Sequence, residues 1–280
     1  MLSMGLSLTV SQILQPLRSI RLVIMALAAN FVIVPAVAFA LTRIIPLDQS
    51  VQIGLLLMGT AAGAPFLPKL AQIAKANVAF AVGLMTLLMV VTIVYLPIVL
   101  PLVLPGVEVD TLQIALSLIV TMLVPLLIGL FIKARYEGAA GTLQPVMAQI
   151  STISLALLLV LMLGLNVSNV IALFGTGAII ATLMFIAISI AAGYLLGGPS
   201  KDTKRVLALG SGQRNLSACF IIAASNFADQ PNVLVYLATT GLLGMVVMLP
   251  TAGEFGKHSE TTPEPETSSG LADTSVPNQP

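Results

Sequence analysis

The sequence predicts an all-α integral membrane protein, and three observations carry that expectation. Of 280 residues, 58% are hydrophobic and 8% charged, with a mean hydropathy of +1.05; a soluble chain carries about a quarter charged residues. The charges collect in short clusters between apolar runs, and the runs 22–41, 78–96, 112–132 and 171–196 reach the roughly 20 residues that cross the hydrocarbon core. These runs lack the polar stripe of a surface helix, and they are too long and too uniformly apolar for the alternating strands of a membrane β-barrel.

Eight spans follow, at 22–42, 51–74, 78–104, 112–132, 146–168, 171–197, 205–227 and 231–250. A helical fragment over 4–14 precedes them, too short to span. After Pro250 the composition turns to Ser, Thr, Pro and Glu, which predicts a disordered tail over 251–280 with His258 solvated in it. Numbering the loops alternately places Arg18, Arg21, Lys75, Lys133, Arg135, Lys201, Lys204, Arg205 and Lys257 on one face. Arg43 stands on the other with Asp48, Glu108, Asp110 and Asp229. The positive-inside rule puts the first face and the C-terminus in the cytoplasm of a cell (plasma or inner) membrane protein.

The net charge of +1 gives no sign of a nucleic-acid partner, and a single cysteine, Cys219, permits no internal disulfide. Residues 1–17 show neither the basic n-region nor the long apolar h-region of a cleavable signal. No acid–base pair, activated nucleophile or metal-ligand cluster falls at membrane depth, so an enzyme is not expected.

A weak internal repeat links the halves. A shift of about 155 residues lays Ala76-Asn77-Val78 on Pro231-Asn232-Val233 and 22–42 on 177–197. An offset containing five spans inverts the topology between copies, a design shared by many secondary transporters. The expected organisation is 1–21, a remnant of a second helix plus loop; 22–104, the rest of a first repeat; 112–250, a second repeat of five spans; and 251–280, the tail. By this count about 45 residues of a complete first repeat are expected to be absent, through a late start or a natural truncation.

Two spans are interrupted in corresponding places. Gly59-Thr60-Ala61-Ala62-Gly63-Ala64-Pro65-Phe66-Leu67-Pro68-Lys69 contains two prolines that break a helix. Gly210-Ser211-Gly212-Gln213-Arg214-Asn215-Leu216-Ser217 combines glycines with polar residues at mid-span. Unwound backbone at membrane depth survives only against protein or a water-filled cavity, so a matched pair of breaks marks a candidate transport site. The candidate substrate-binding residues are Arg214, Asn215, Gln213, Gly212, Ser211, Gly63, Pro65, Thr60 and Lys69. No acidic residue lies in any span to pair with Arg214. Its guanidinium then meets either an anionic ligand or backbone carbonyls of the broken helix. Lys69 either serves the site or snorkels from its helix end. Gln149, Ser151, Thr152 and Ser154 form a polar patch that either lines a cavity or joins helices.

At these broken helices the sequence resembles the bile acid:sodium symporter family, with its best stretches at Met4–Leu8, Lys75–Ala79 and Leu209–Phe227. The resemblance implies ten helices in two inverted five-helix repeats, a panel domain and a core domain, and broken fourth and ninth helices crossing at the substrate and sodium sites. It also implies that the first helix and most of the second are absent here, which leaves about eight of ten spans. The family's sodium ligands do not carry over. Its glutamate and glutamine of the ninth helix fall on Gly210 and Arg214, while Gly212 and Asn215 match; its Ser-Asn pair of the fourth falls on Leu67-Pro68, and its serine and threonine of the fifth on Ala81 and Met85. The implied function is secondary active transport of a small organic anion by alternating access. No cofactor is expected, and these positions do not support sodium. The partners are the bilayer and the substrate, and a homodimer is compatible with the reading. Two other readings stand beside it. One is an arsenite-type efflux carrier, for which the expected cysteine on the fourth helix is missing. The other is a non-transporting, truncated membrane protein.

Overall fold

The computed structural model describes residues 1–9, 11, 19–104 and 110–260, and these fold into helices joined by short turns. The chain runs α1 (Leu2–Ser7), α2 (Ile20–Ile44), α3 (Gln49–Thr60), α4 (Leu67–Ile73), α5 (Val78–Val103), α6 (Thr111–Arg135) and α7 (Glu137–Leu165). It continues with α8 (Val167–Leu173), α9 (Ala178–Leu196), α10 (Lys201–Gly212), α11 (Leu216–Asn226) and α12 (Pro231–Glu260). Among the described residues, α2, α5, α6, α9 and α12 up to His258 are each long and apolar enough to cross a bilayer. The chain is an all-α multi-pass membrane protein.

The elements follow from backbone chemistry. Asn77 starts α5 by accepting the Phe80 amide at 2.9 Å, and Asp110 starts α6 by accepting the Gln113 amide at 2.9 Å. Both satisfy amides that a helix start leaves without partners. In α2 and α6 a single π-turn, Ala29–Ile33 and Ile119–Leu123, precedes a Val-Pro pair. Proline cannot donate to the carbonyl four residues back, and the wider turn absorbs the misfit.

The interruptions expected in the spans 51–74 and 205–227 are present, and each span is two half-helices, α3/α4 and α10/α11. Three expectations are corrected. The span expected at 146–168 begins at Glu137 instead, because Pro145 falls inside a helix that continues across it. The span expected at 171–197 begins only at Ala178, after turns from Phe174 to Gly177, where two glycines weaken the helix. Finally, α12 does not stop at Pro250. It runs on to Glu260, because Ala252 is buried, Phe255 stacks on Tyr194 with ring centroids 6.0 Å apart, and Glu254 pairs with Lys257 at 3.3 Å. His258 is therefore helical, with its ring nitrogen 3.0 Å from the Glu254 carbonyl oxygen. The expected fragment at 4–14 is helical over Leu2–Ser7, and positions 10 and 12–14 lie outside the described residues, as do Arg18, Glu108 and the tail from 261 onward.

The two broken pairs pack with α2, α5, α9 and α12, α11 packs also against α6, and α1 lies on α6 and α7. The outward sides of α6 and α7 carry Leu116, Val120, Leu127, Ile150 and Leu157 exposed, as lipid-facing helices do. One end of the molecule joins the start of α2 to the α9–α10 corner, and the end of α12 to the end of α4. The opposite end joins the start of α3 to the ends of α2 and α5 and to the start of α12.

The α1–α6 contact depends on two glycines. A Cβ on Gly129 would meet the Leu2 carbonyl and one on Gly5 the Leu126 carbonyl, and either would stand 2.8 Å from the other glycine's Cα. A larger residue must push the helices apart, at about 1–3 kcal/mol. Gly129→Leu is expected to lower the thermal unfolding midpoint of the detergent-purified protein. Gly138→Leu, at a glycine with nothing within 4 Å, is expected to leave it unchanged.

Candidate functional site at the crossing of the broken helices

The last turn of a helix leaves carbonyls without donors, and a break at membrane depth leaves more. In α3 the break follows from Pro65 and Pro68. Pro65 has no amide to give the Ala61 carbonyl, and Pro68 sits in the first turn of α4, where a missing amide does no harm. The freed Ala61 carbonyl accepts the Asn215 amide at 3.0 Å, which joins the first break to the second. Ala62 is bonded on both sides by the Thr92 hydroxyl, which accepts its amide at 3.0 Å and donates to its carbonyl at 3.1 Å. Gly63 turns the chain with φ +79°, and a Cβ there would collide with the backbone of Met89.

The second break is shorter than expected. α10 stays helical through Ser211 and Gly212, and only Gln213, Arg214 and Asn215 leave the helix. The Gln213 amide closes α10 on the Leu209 carbonyl at 2.9 Å, and Asn215 opens α11 by accepting the Ala218 amide at 3.2 Å.

Arg214 crosses between the two breaks and is 3% exposed. Its Nε donates to the Met58 carbonyl at 2.7 Å and its Nη2 to the Gly59 carbonyl at 2.9 Å, both at the C-terminal end of α3. Its Nη1 donates to Asn30 Oδ1 at 2.9 Å and to the Ser211 carbonyl at 3.3 Å. Among the described residues no carboxylate pairs with it. The negative ends of two helices, α3 and α10, stand in for a counter-ion. Four of the five guanidinium hydrogens are thereby engaged.

Asn30 is held in turn. Its amide nitrogen donates to the Ala26 carbonyl at 3.0 Å and to the Ser211 hydroxyl at 3.1 Å. It lies in the π-turn of α2. Pro35 cannot donate to the Phe31 carbonyl, and the Tyr95 hydroxyl does so at 2.7 Å.

Three expected site residues lie away from this network. Pro65 and Lys69 are exposed, and Lys69 donates to Gln72 at 3.1 Å, as a snorkelling lysine does. The Thr60 hydroxyl turns back on the Leu56 carbonyl at 2.7 Å. Gly212 packs near Ile190 and Met248, and Gly210 lies beside Leu67 and Leu84. The buried side-chain nitrogen of Asn215, Nδ2, makes no hydrogen bond. The sequence reading missed Asn30, Thr92 and Tyr95. A signal for the first existed, since Asn30 is the one polar side chain in the run 22–41.

A model of the Sodium Bile acid symporter family matches residues 1–173. That is more than half of the chain. The protein belongs to the sodium bile acid symporter family. The matched residues extend from α1 to α8 and include the π-turn of α2 and the first broken pair. The second broken pair, with Arg214, lies beyond the match, although the sequence resemblance was read there too. No match was found among curated proteins.

In this family member the network gives three expectations. Arg214→Met leaves several buried acceptors without donors, each worth about 1–3 kcal/mol, and is expected to lower the unfolding midpoint strongly. Arg214→Lys is not expected to restore it, because one ammonium cannot reproduce the planar spread of donors. Tyr95→Phe keeps the ring, 4.7 Å from Phe31 by centroids, and removes only the hydroxyl. It is expected to cost about 1 kcal/mol in the same unfolding measurement.

Proposed function

We propose that this protein is a secondary transporter of a small organic anion, in which Arg214 supplies at the crossing the positive charge that sodium would bring. Family membership makes it a membrane transporter. The observation that carries the finer reading is a buried guanidinium compensated only by neutral groups, which leaves the crossing electropositive.

The residues at the family's sodium positions do not fit sodium. Sodium is a hard cation that needs several oxygen ligands, as calcium and magnesium do. Leu67 and Ala81 are fully buried here and Met85 nearly so, with Leu67 and Leu84 against Gly210. Aliphatic and thioether side chains thus stand where oxygens are required, and no step is assigned to sodium. The unpartnered Asn215 Nδ2 and the remaining guanidinium hydrogen are donors suited to a carboxylate oxygen. The basic face, with the end of α12, is assigned to the cytoplasm by its lysines and arginines.

Uptake of a panel of carboxylates by proteoliposomes, with and without a sodium gradient, tests this reading. The expected outcome is uptake that ignores sodium and falls at least about tenfold in Arg214→Gln. Sodium-dependent uptake by the native chain, or full-rate uptake by Arg214→Gln, sinks it.

A further inference from the structure

At the basic end of the molecule, the start of α2 and the α9–α10 corner enclose a groove of about 490 Å³. Leu22, Met25 and Leu195 give it an apolar wall, and Arg21, Ser200 and Thr203 a polar one. The apolar side continues into the lipid-facing surface of the bundle, where Ile20 is 68% exposed, Ile24 55% and Leu195 79%. The first turn of α10 beside the polar wall carries Lys201, which is exposed, and Lys204, which lies 5.7 Å above the Tyr194 ring. The nearby carboxylate of Asp202 faces Arg205 at 3.9 Å. The groove is therefore amphipathic and basic at one end, and it is open to the bilayer on its apolar side.

We propose that this groove binds an anionic phospholipid, with its phosphate against Arg21, Ser200 and the α10 lysines and an acyl chain along Leu22, Met25 and Leu195. The chemistry on each wall selects this occupant. A free phosphate satisfies the cations and leaves the apolar wall uncovered, whereas a zwitterionic lipid covers that wall and brings no net charge. Basic segments at a membrane surface favour anionic headgroups. The site also bears on the crossing, because the bound lipid spans the first turns of α2 and α10, helices that carry Asn30 at mid-length and Ser211 in the last turn. Asn30 Oδ1 and the Ser211 carbonyl both accept from Arg214, and Asn30 donates to the Ser211 hydroxyl. Lipid binding at this corner thus steadies two of the elements that hold the guanidinium.

The test uses the full chain in nanodiscs of mixed phosphatidylglycerol and phosphatidylcholine. Lipid retained on release into detergent is counted by native mass spectrometry, and the unfolding midpoint is followed in each lipid. The native chain is expected to retain phosphatidylglycerol preferentially and to unfold at a higher temperature with it. The double variant Arg21→Gln/Lys201→Gln is expected to lose that preference about tenfold. Lys133→Gln/Arg135→Gln, which removes cations assigned to the same face on α6, is expected to keep it. Leu22→Trp fills the apolar wall without changing charge and is expected to lose retention as well, which decides the matter if the charge variant fails to fold. Equal retention of both lipids by the native chain overturns the proposal. So does an equal loss in the α6 variant, or inorganic phosphate raising the midpoint as much as phosphatidylglycerol.

Discussion

Everything near the middle of this molecule answers to one constraint: a guanidinium is buried there among the described residues with no carboxylate beside it. An arginine at membrane depth is tolerated only when polar groups surround it. Here those groups are mainly backbone carbonyls, and carbonyls become available only where a helix stops. The two broken helices and the arginine are thus mutually dependent. Without the breaks the charge has no acceptors, and without the charge the Met58, Gly59 and Ser211 carbonyls lose their donor. Proline 65 contributes at a distance, because the amide it lacks leaves the Ala61 carbonyl free for Asn215.

The same logic extends outward by one layer. A π-turn in α2 brings Asn30 to the guanidinium, Pro35 leaves the Phe31 carbonyl in need of a donor, and Tyr95 on α5 provides it. The departures at Phe31 and Ala62 are each answered by a side chain of α5. Irregular backbone in this fold is consequently a source of tertiary bonds, in a medium where apolar contact alone does little to hold helices together.

Much of the architecture was legible in the sequence, because bilayer thickness forces long apolar runs and proline and glycine mark the interruptions. The runs at 22–42, 78–104 and 112–132 correspond to α2, α5 and α6 within a few residues. The two interruptions were legible as well, and so was the absence of an acidic partner for Arg214. What Arg214 touches was not legible. Its acceptors at Met58 and Gly59 are peptide oxygens more than 150 residues away in the chain, and no side-chain pattern reports on a carbonyl. Helix α12 was misjudged for a related reason. Composition after Pro250 looks like a tail, but Phe255 finds Tyr194 on α9 and the helix continues.

That continuation has a mechanical consequence. Beyond Pro250, α12 presses Gly256 against the Ile73 carbonyl at the end of α4 and Phe255 against α9. These two turns act as a strut across one mouth of the bundle, joining the free end of a half-helix to a full-length neighbour. A short helix held at both ends, by Leu67 against Gly210 of α10 and by the strut at the surface, cannot tilt on its own. Any displacement of α4 carries α9 and α12 with it, so compliance in this bundle is confined to the seams between such braced groups.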